Sequence, residues 1–219
     1  PSFKEALNDF KNKYISKILI LPLYPQAGSP TTSSSLDEVF KELEMWPWVP
    51  HLRFTSGYHD NDKYIFSLSE SIKKHFNENG IPEKLLFSFH GMPQRYLEEG
   101  DPYYCFCHKT ARLVAESLNL KKDDYDLCFQ SRFGIEPWLK PYTDELIEKY
   151  TEMGIKDIAV ISPGFSVDCL ETLEEIEIQY KELFLQKGGE KFTYIPCLND
   201  SNDHISLIED IIRSETKGW

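Results

Sequence analysis

Four short runs of the chain are apolar almost without interruption, and each gives way at once to turn-forming residues. They are Lys17–Leu23 (KILILPL), Leu85–Phe89 (LLFSF), Tyr125–Ser131 (YDLCFQS) and Asp157–Ser162 (DIAVIS). Runs of this length read as strands, and the lack of in-out alternation means that both faces of each are buried. Between them lie stretches with helical spacing, such as Tyr64, Ile65, Leu68, Ile72 and Phe76 within Asp62–Asn77, closed by Gly80. Further helices are predicted from Ser2 to about Tyr14, from Ser35 to about Leu43, over His108–Leu118 and Tyr142–Met153, from Asp168 to Gly188, and over His204–Ile212. Ser2-x-x-Glu5 and Ser35-x-x-Glu38 have the form of capping boxes. Two shorter strands are predicted at His51–Ser56 and Phe192–Ile195. Strands alternating with helices specify an α/β fold with parallel sheets flanked by helices. In such a fold ligands bind beyond the carboxyl ends of the strands, so the residues that close these runs are the ones to read for chemistry.

A chain of 219 residues suits one large or two small domains, and the cluster Gly57-Tyr58-His59-Asp60-Asn61-Asp62 marks a seam between them. The net charge of -12 argues against a nucleic-acid surface. No apolar run approaches the roughly 18 residues of a membrane span, and no signal-peptide pattern is present at the start. Five cysteines, an odd number, do not suggest a disulfide framework, and a reducing cytosol is the simpler expectation.

Three strand ends gather unusual side chains: Tyr24 to Ser34, His90 to Met92, and Pro163 to Glu171. His90 follows the second run directly, where a histidine can accept a proton or hold a metal near neutral pH, or simply bond a neighbouring loop. Glu171 and Glu175 are four apart and share a helix face near its start. Asp168 with Glu171 also fits a third capping box, which needs no function. A His and a carboxylate facing one another can bind a divalent cation or pass protons. Tyr24, Tyr103, Trp138 and Phe165 all stand at or just after element ends, and gathered around one cleft they would suit a large flat apolar ligand.

Other motifs carry less. Cys105-Phe106-Cys107-His108 lacks the second ligand pair that structural zinc needs. Neither glycine-rich phosphate motif occurs, and Gly164-Phe165-Ser166-Val167-Asp168 lacks the last glycine of a nucleophile elbow.

Several collinear segments together resemble the ferrochelatase family, whose members insert ferrous iron into a porphyrin. They are Leu23-Tyr24-Pro25-Gln26 with the hydroxyl-rich loop after it, and Ser88-Phe89-His90-Gly91-Met92-Pro93 with Arg95-Tyr96 and Gly100-Asp101-Pro102-Tyr103. Phe129-Gln130-Ser131-Arg132-Phe133-Gly134, Pro137-Trp138-Leu139, Pro163-Gly164-Phe165-Ser166 and Asp168 to Ile176 complete the set. The resemblance implies two Rossmann-like, chelatase-type lobes with a cleft between them. Residues 1–58 would form an incomplete first lobe with 200–219 packing back on it, and 59–199 the second. It implies that His90 and Glu171 are catalytic, that His90, Glu171 and Glu175 meet the metal, and that Tyr24, Gln26, Tyr103, Trp138 and Phe165 bind the porphyrin. His90 would be metal ligand or proton acceptor, two roles that compete.

Three departures qualify this. A third carboxylate common one turn beyond Glu175 is replaced by Gln179. The family's opening strand and glycine-containing loop are expected to be missing before Pro1, as in a truncated chain. No C-terminal cysteine extension follows, so no iron–sulfur cluster is expected, nor any tightly bound cofactor. The substrates implied are Fe2+ and protoporphyrin IX, with haem as product and a cytoplasmic place in haem biosynthesis. A greasy product gives reason to expect peripheral contact with a membrane, and nothing in the sequence specifies an oligomer. The alternatives are a chelatase for another tetrapyrrole such as coproporphyrin, and a metal- or tetrapyrrole-binding protein of the same fold without turnover.

Overall fold

A computed structural model describes residues 2–219. In chain order the elements are α1 (Phe3–Asn12), β1 (Lys17–Ile20), a π-helical turn at Ser29–Ser33, α2 (Ser34–Leu43), β2 (His51–Phe54), α3 (Asp62–Asn79), β3 (Lys84–His90) and α4 (Gln94–Glu98). They continue as α5 (Tyr103–Ser117), β4 (Tyr125–Gln130), α6 (Thr143–Glu152), β5 (Asp157–Ile161), a π-helical segment at Glu171–Tyr180, α7 (Lys181–Gln186), β6 (Lys191–Ile195) and α8 (Asn202–Glu215).

All strand pairing is parallel, as the uninterrupted apolar runs require. Strands β1 and β2 form one small sheet, and the other four form a second in the order β4-β3-β5-β6. Strand β3 lies inside that sheet and is buried on both faces. Leu85, Phe87 and Phe89 enter a core with Tyr64, Ile72, Val114, Leu207 and Ile211, while Leu86 enters another with Cys128, Ile147, Ile176 and Phe184. Each fully buried Leu or Phe contributes roughly 1.5–3 kcal/mol, which fixes the register of β3 and with it the height of His90 above the sheet. The smaller sheet has its own core of Leu7, Ile18, Val39, Leu43 and Trp46. Helix α8 packs on α3, and its end returns to β2: Arg53 donates to the carbonyls of Glu215 and Lys217, and its guanidinium lies 4.9 Å over the Trp219 ring.

Differences from the expected elements have local causes. The capping box at Ser2 forms, with Ser2 Oγ accepting from the Glu5 amide and the Glu5 carboxylate from the Ser2 amide. The one expected at Ser35 does not, because the Ser34 and Ser35 hydroxyls donate back to the carbonyls of Pro30 and Thr31. Helix α5 begins at Tyr103, five residues before the predicted start, because the Asp101 carboxylate accepts from the Tyr103 amide at 2.9 Å and organises its first turn. The other oxygen of Asp101 accepts from the Ser29 amide at 2.6 Å, tying the hydroxyl-rich loop to this helix. Cys105 is thereby exposed and Cys107 buried on a single helix. No helix among the described residues is long and apolar enough to cross a membrane.

Candidate active site

A cavity of about 500 Å3 opens at the carboxyl ends of β3 and β5, within the size range of small-molecule sites. Tyr24, Gln26, His90, Tyr103, Trp138 and Phe165 all line it. Beside it a smaller cavity of about 340 Å3 is lined by His90, Ser131, Phe133, Leu170, Glu171, Glu174, Glu175 and Gln179. His90 belongs to both walls. One side of it is apolar and aromatic, the other carboxylate-rich.

The histidine is held by its backbone and its ring. Its carbonyl accepts from the buried Tyr103 hydroxyl at 2.9 Å, and its Nδ1 lies 2.7 Å from the Gly91 carbonyl. A carbonyl can only accept, so Nδ1 carries the hydrogen, and in the neutral form of the ring the lone pair lies at Nε2. That is the atom able to take a proton or a metal ion. Phe165 lies 6.2 Å away, centroid to centroid.

Glu171 opens the π-helical segment. Its own backbone amide and the Cys169 thiol hold its carboxyl below the usual carboxylate range; partial burial opposes this, and the field of His90 assists. The third capping box does not form, since the Asp168 amide donates to Asn199 and the Glu171 carboxylate is left free of that role. Asp168 is instead a framework acid. Burial disfavours its charge, but hydrogen bonds from Asn199, Tyr194 and Cys197 outweigh that and keep its carboxyl below the ordinary range.

Glu175 is differently placed. Oε1 accepts from the Ser131 amide at 2.7 Å and Tyr180 at 2.9 Å, and Oε2 from the Ser131 hydroxyl and from Gln130 at 3.2 Å. Gln130 faces His90 in the β3–β4 register, accepts from Ser88 at 2.9 Å and donates to the Glu171 carbonyl at 2.8 Å. This chain of bonds sets the π-helical segment against the end of β3. Ser131 adopts φ +62, a left-handed conformation unusual for serine, and its two bonds to Glu175 hold it there. Among the described residues no group of three or more His, Cys, Asp or Glu side chains converges closely enough to hold a metal ion.

The aromatic wall depends on Gly91. A Cβ there would stand 2.6 Å from the Gln130 carbonyl oxygen and 2.9 Å from the Trp138 ring. Only glycine lets Trp138 lie so close, and Leu139 and Gln94 secure the contact through backbone bonds to Met92 and Pro137. Sequence reasoning gave no role to Met92, Arg95, Tyr96, Phe133 and Glu136, which also line the larger cavity. Phe133 packs 4.8 Å from Trp138 although it is 73% exposed. Gln130 and Ser131 were also given no role. Their signal was a polar pair at the end of a buried strand.

The ferrochelatase family model matches residues 1–216. Ferrochelatases of Hydrogenovibrio crunogenus and Nitrosococcus oceani are 48% and 49% identical over the whole chain, which covers 58% and 60% of their lengths. Ferrochelatase 2 of Shewanella oneidensis is 49% identical over 213 residues, covering 97% of the chain and 65% of that protein. The chain thus spans about three fifths of the length of the curated relatives it matches. In fold it is similar to SirB from Bacillus subtilis, solved with Fe3+, at a TM-score of 0.68 and 11% identity, covering 99% of this chain and 78% of that one. It is also similar to DR2241 from Deinococcus radiodurans, a multi-domain protein with structural similarity to chelatases, at a TM-score of 0.59 and 11% identity, covering 93% of this chain and 42% of that one. With the family model spanning nearly every residue, the chain belongs to the ferrochelatase family.

Proposed function

We propose that the chain is a ferrochelatase, a lyase-class enzyme that inserts Fe2+ into protoporphyrin IX to form haem. The observation that carries this reading is His90 standing between an aromatic cavity sized for a flat ligand and a second cavity lined by carboxylates. Insertion replaces two pyrrole N–H hydrogens with one iron: metal-free porphyrin and Fe2+ give the iron porphyrin and two protons. His90 in its neutral form accepts one proton at Nε2, and the second leaves by way of the carboxylate-lined cavity. Glu171, kept ionised by its amide and by Cys169, either receives that proton or carries iron toward the ring.

Tyr24, Tyr103, Trp138 and Phe165 would grip the macrocycle, and holding it bent makes its nitrogen lone pairs reachable. Glu175 supports the reading from behind. Its oxygens already accept four hydrogen bonds, close to the capacity of a carboxylate, so we assign it to holding the site rather than to ligating iron. The division into lobes 1–58 and 59–199 is part of the same proposal, since the loop after β1 and the ends of β3 and β5 line one cavity.

The test is anaerobic incubation of the chain with Fe2+ and protoporphyrin IX, followed by absorbance. Appearance of the haem spectrum above the uncatalysed rate supports the proposal. Tight porphyrin binding without turnover reassigns the chain as a binding protein, and faster metal insertion into coproporphyrin reassigns its substrate.

A further inference from the structure

Arg95 and Glu136 face one another across the rim of the larger cavity, and both are exposed. Pro93 and Trp138 form an antiparallel bridge, and the Gln94 amide donates to the Pro137 carbonyl at 2.9 Å, so the two segments run side by side. The Arg95 guanidinium lies 4.4 Å over the ring of Tyr96, which packs against the main core. Its Nε donates to Glu136 Oε2 at 3.2 Å, and its Nη2 to the Tyr96 hydroxyl at 3.4 Å. An arginine has five N–H donors, and these bonds use two of them. Both hydrogens of Nη1 and one of Nη2 remain. They form the end of the fork, which a carboxylate meets with both oxygens.

Charge singles out this position. Among the described residues that line the two cavities, Arg95 is the one Lys or Arg. The cavity on the other side of His90 is lined by Glu171, Glu174 and Glu175, and the whole chain has a net charge of -12. A ligand with carboxylates is repelled from that wall and from much of the surface, and meets its counter-charge on the rim. Glu136 does not withhold the guanidinium. Both side chains are about half exposed, at 52% and 46%, and an ion pair so placed is weak.

Protoporphyrin IX carries two propionates side by side on one edge of an otherwise apolar ring. Resting on the chelatase reading above, we propose that Arg95 is a carboxylate subsite at the mouth of the cleft: it exchanges Glu136 for a propionate of the macrocycle and holds the acid-bearing edge at the rim, away from the carboxylate-lined cavity. The apolar remainder of the ring is then left to the aromatic wall. Glu136 competes with the propionate for one guanidinium, so it tunes how tightly that edge is held.

The measurement is the affinity for protoporphyrin IX and for its uncharged dimethyl ester, followed by fluorescence in one detergent buffer, in the wild-type chain, Arg95→Gln and Glu136→Gln. Arg95→Gln is expected to weaken binding of the diacid by about tenfold, the value of one charge-assisted pairing, and to leave the diester unchanged. Glu136→Gln removes the competitor and is expected to tighten the diacid by about threefold, again without effect on the diester. Added salt should weaken diacid binding in the wild type and have little effect in Arg95→Gln. Retained diester binding also reports that each variant is folded. Equal losses for the two porphyrins in Arg95→Gln, no loss for either, or weaker diacid binding in Glu136→Gln overturn the inference and leave the chelatase reading standing. A wild-type chain that binds neither porphyrin takes down both.

Discussion

The carboxylate of Glu175 accepts four hydrogen bonds, from the Ser131 amide and hydroxyl, Gln130 and Tyr180. That of Glu171, four residues earlier in the same π-helical segment, meets its own amide and the Cys169 thiol and shares a cavity wall with His90. Identical side chains on one helical stretch therefore differ in what they have left to give. A carboxylate offers about four lone-pair sites, so one that is saturated can hold a frame but has little left for an incoming proton or ion. The same contrast separates His90, whose Nε2 is unspent, from Asp168, whose oxygens are taken by Tyr194, Cys197, Thr172 and Asn199. Chemistry is assigned to the side chains with capacity left, and stability to those without.

Variants can break this division. The largest expected effect is on the working side: His90→Ala should lower the rate of metal insertion by roughly 10²–10⁴-fold, with porphyrin affinity and the melting temperature little changed. Insertion at the wild-type rate would remove His90 from the mechanism. On the framework side, Gly91→Ala forces a methyl group to within 2.6 Å of the Gln130 carbonyl oxygen. It should cost about 1–3 kcal/mol in chemical denaturation and push Trp138 out of the cleft, seen as a change in tryptophan fluorescence.

Asp168→Asn sharpens the comparison through pH. The folded-state pKa of Asp168 is depressed, so its contribution is fully present above the unfolded value of about 3.9 and disappears as pH falls through the lower folded value. Because Asp168 is only partly buried and its charge is screened by solvent, the variant should be less stable than the wild type by about 1 kcal/mol at pH 7, and the gap should close in acid. A gap independent of pH would mean that the bonds to Asp168 do not need its charge. The smallest effect is expected for Phe133→Ala at the exposed rim: stability within about 0.5 kcal/mol of wild type, and weaker porphyrin binding where its contact with Trp138 is lost.

Much of the framework was legible because burial writes itself into pattern. Leu85 to Phe89 could be read as a strand covered on both faces, and its partner strands by the same rule. That His90, Tyr24, Tyr103, Trp138 and Phe165 line one cavity could be anticipated because each stands at or just after an element end, and parallel topology brings strand ends together. What could not be read depends on hydrogen-bond direction and backbone form. The π-helical geometry of Glu171–Tyr180 leaves no mark in residue spacing, since positions four apart stay close on either helix type. Asp168-x-x-Glu171 and Ser35-x-x-Glu38 have the same pattern as Ser2-x-x-Glu5, yet only the last forms a capping box, because Asn199 in one case and the π-helical turn at Ser29–Ser33 in the other supply competing partners. The roles of Gln130 and Ser131 emerge only once Glu175 is seen between them.

The central claim is that the two glutamates divide chemistry from support. It is tested most directly by measuring iron insertion and thermal unfolding together in Glu171→Gln and Glu175→Gln. The expected result is that Glu171→Gln loses insertion by roughly 10²-fold or more while its melting temperature holds. Glu175→Gln should lose about 2 kcal/mol of stability and retain most of its insertion rate per folded molecule. The reverse, a fully stable Glu175→Gln that cannot insert iron beside an active Glu171→Gln, would contradict the account.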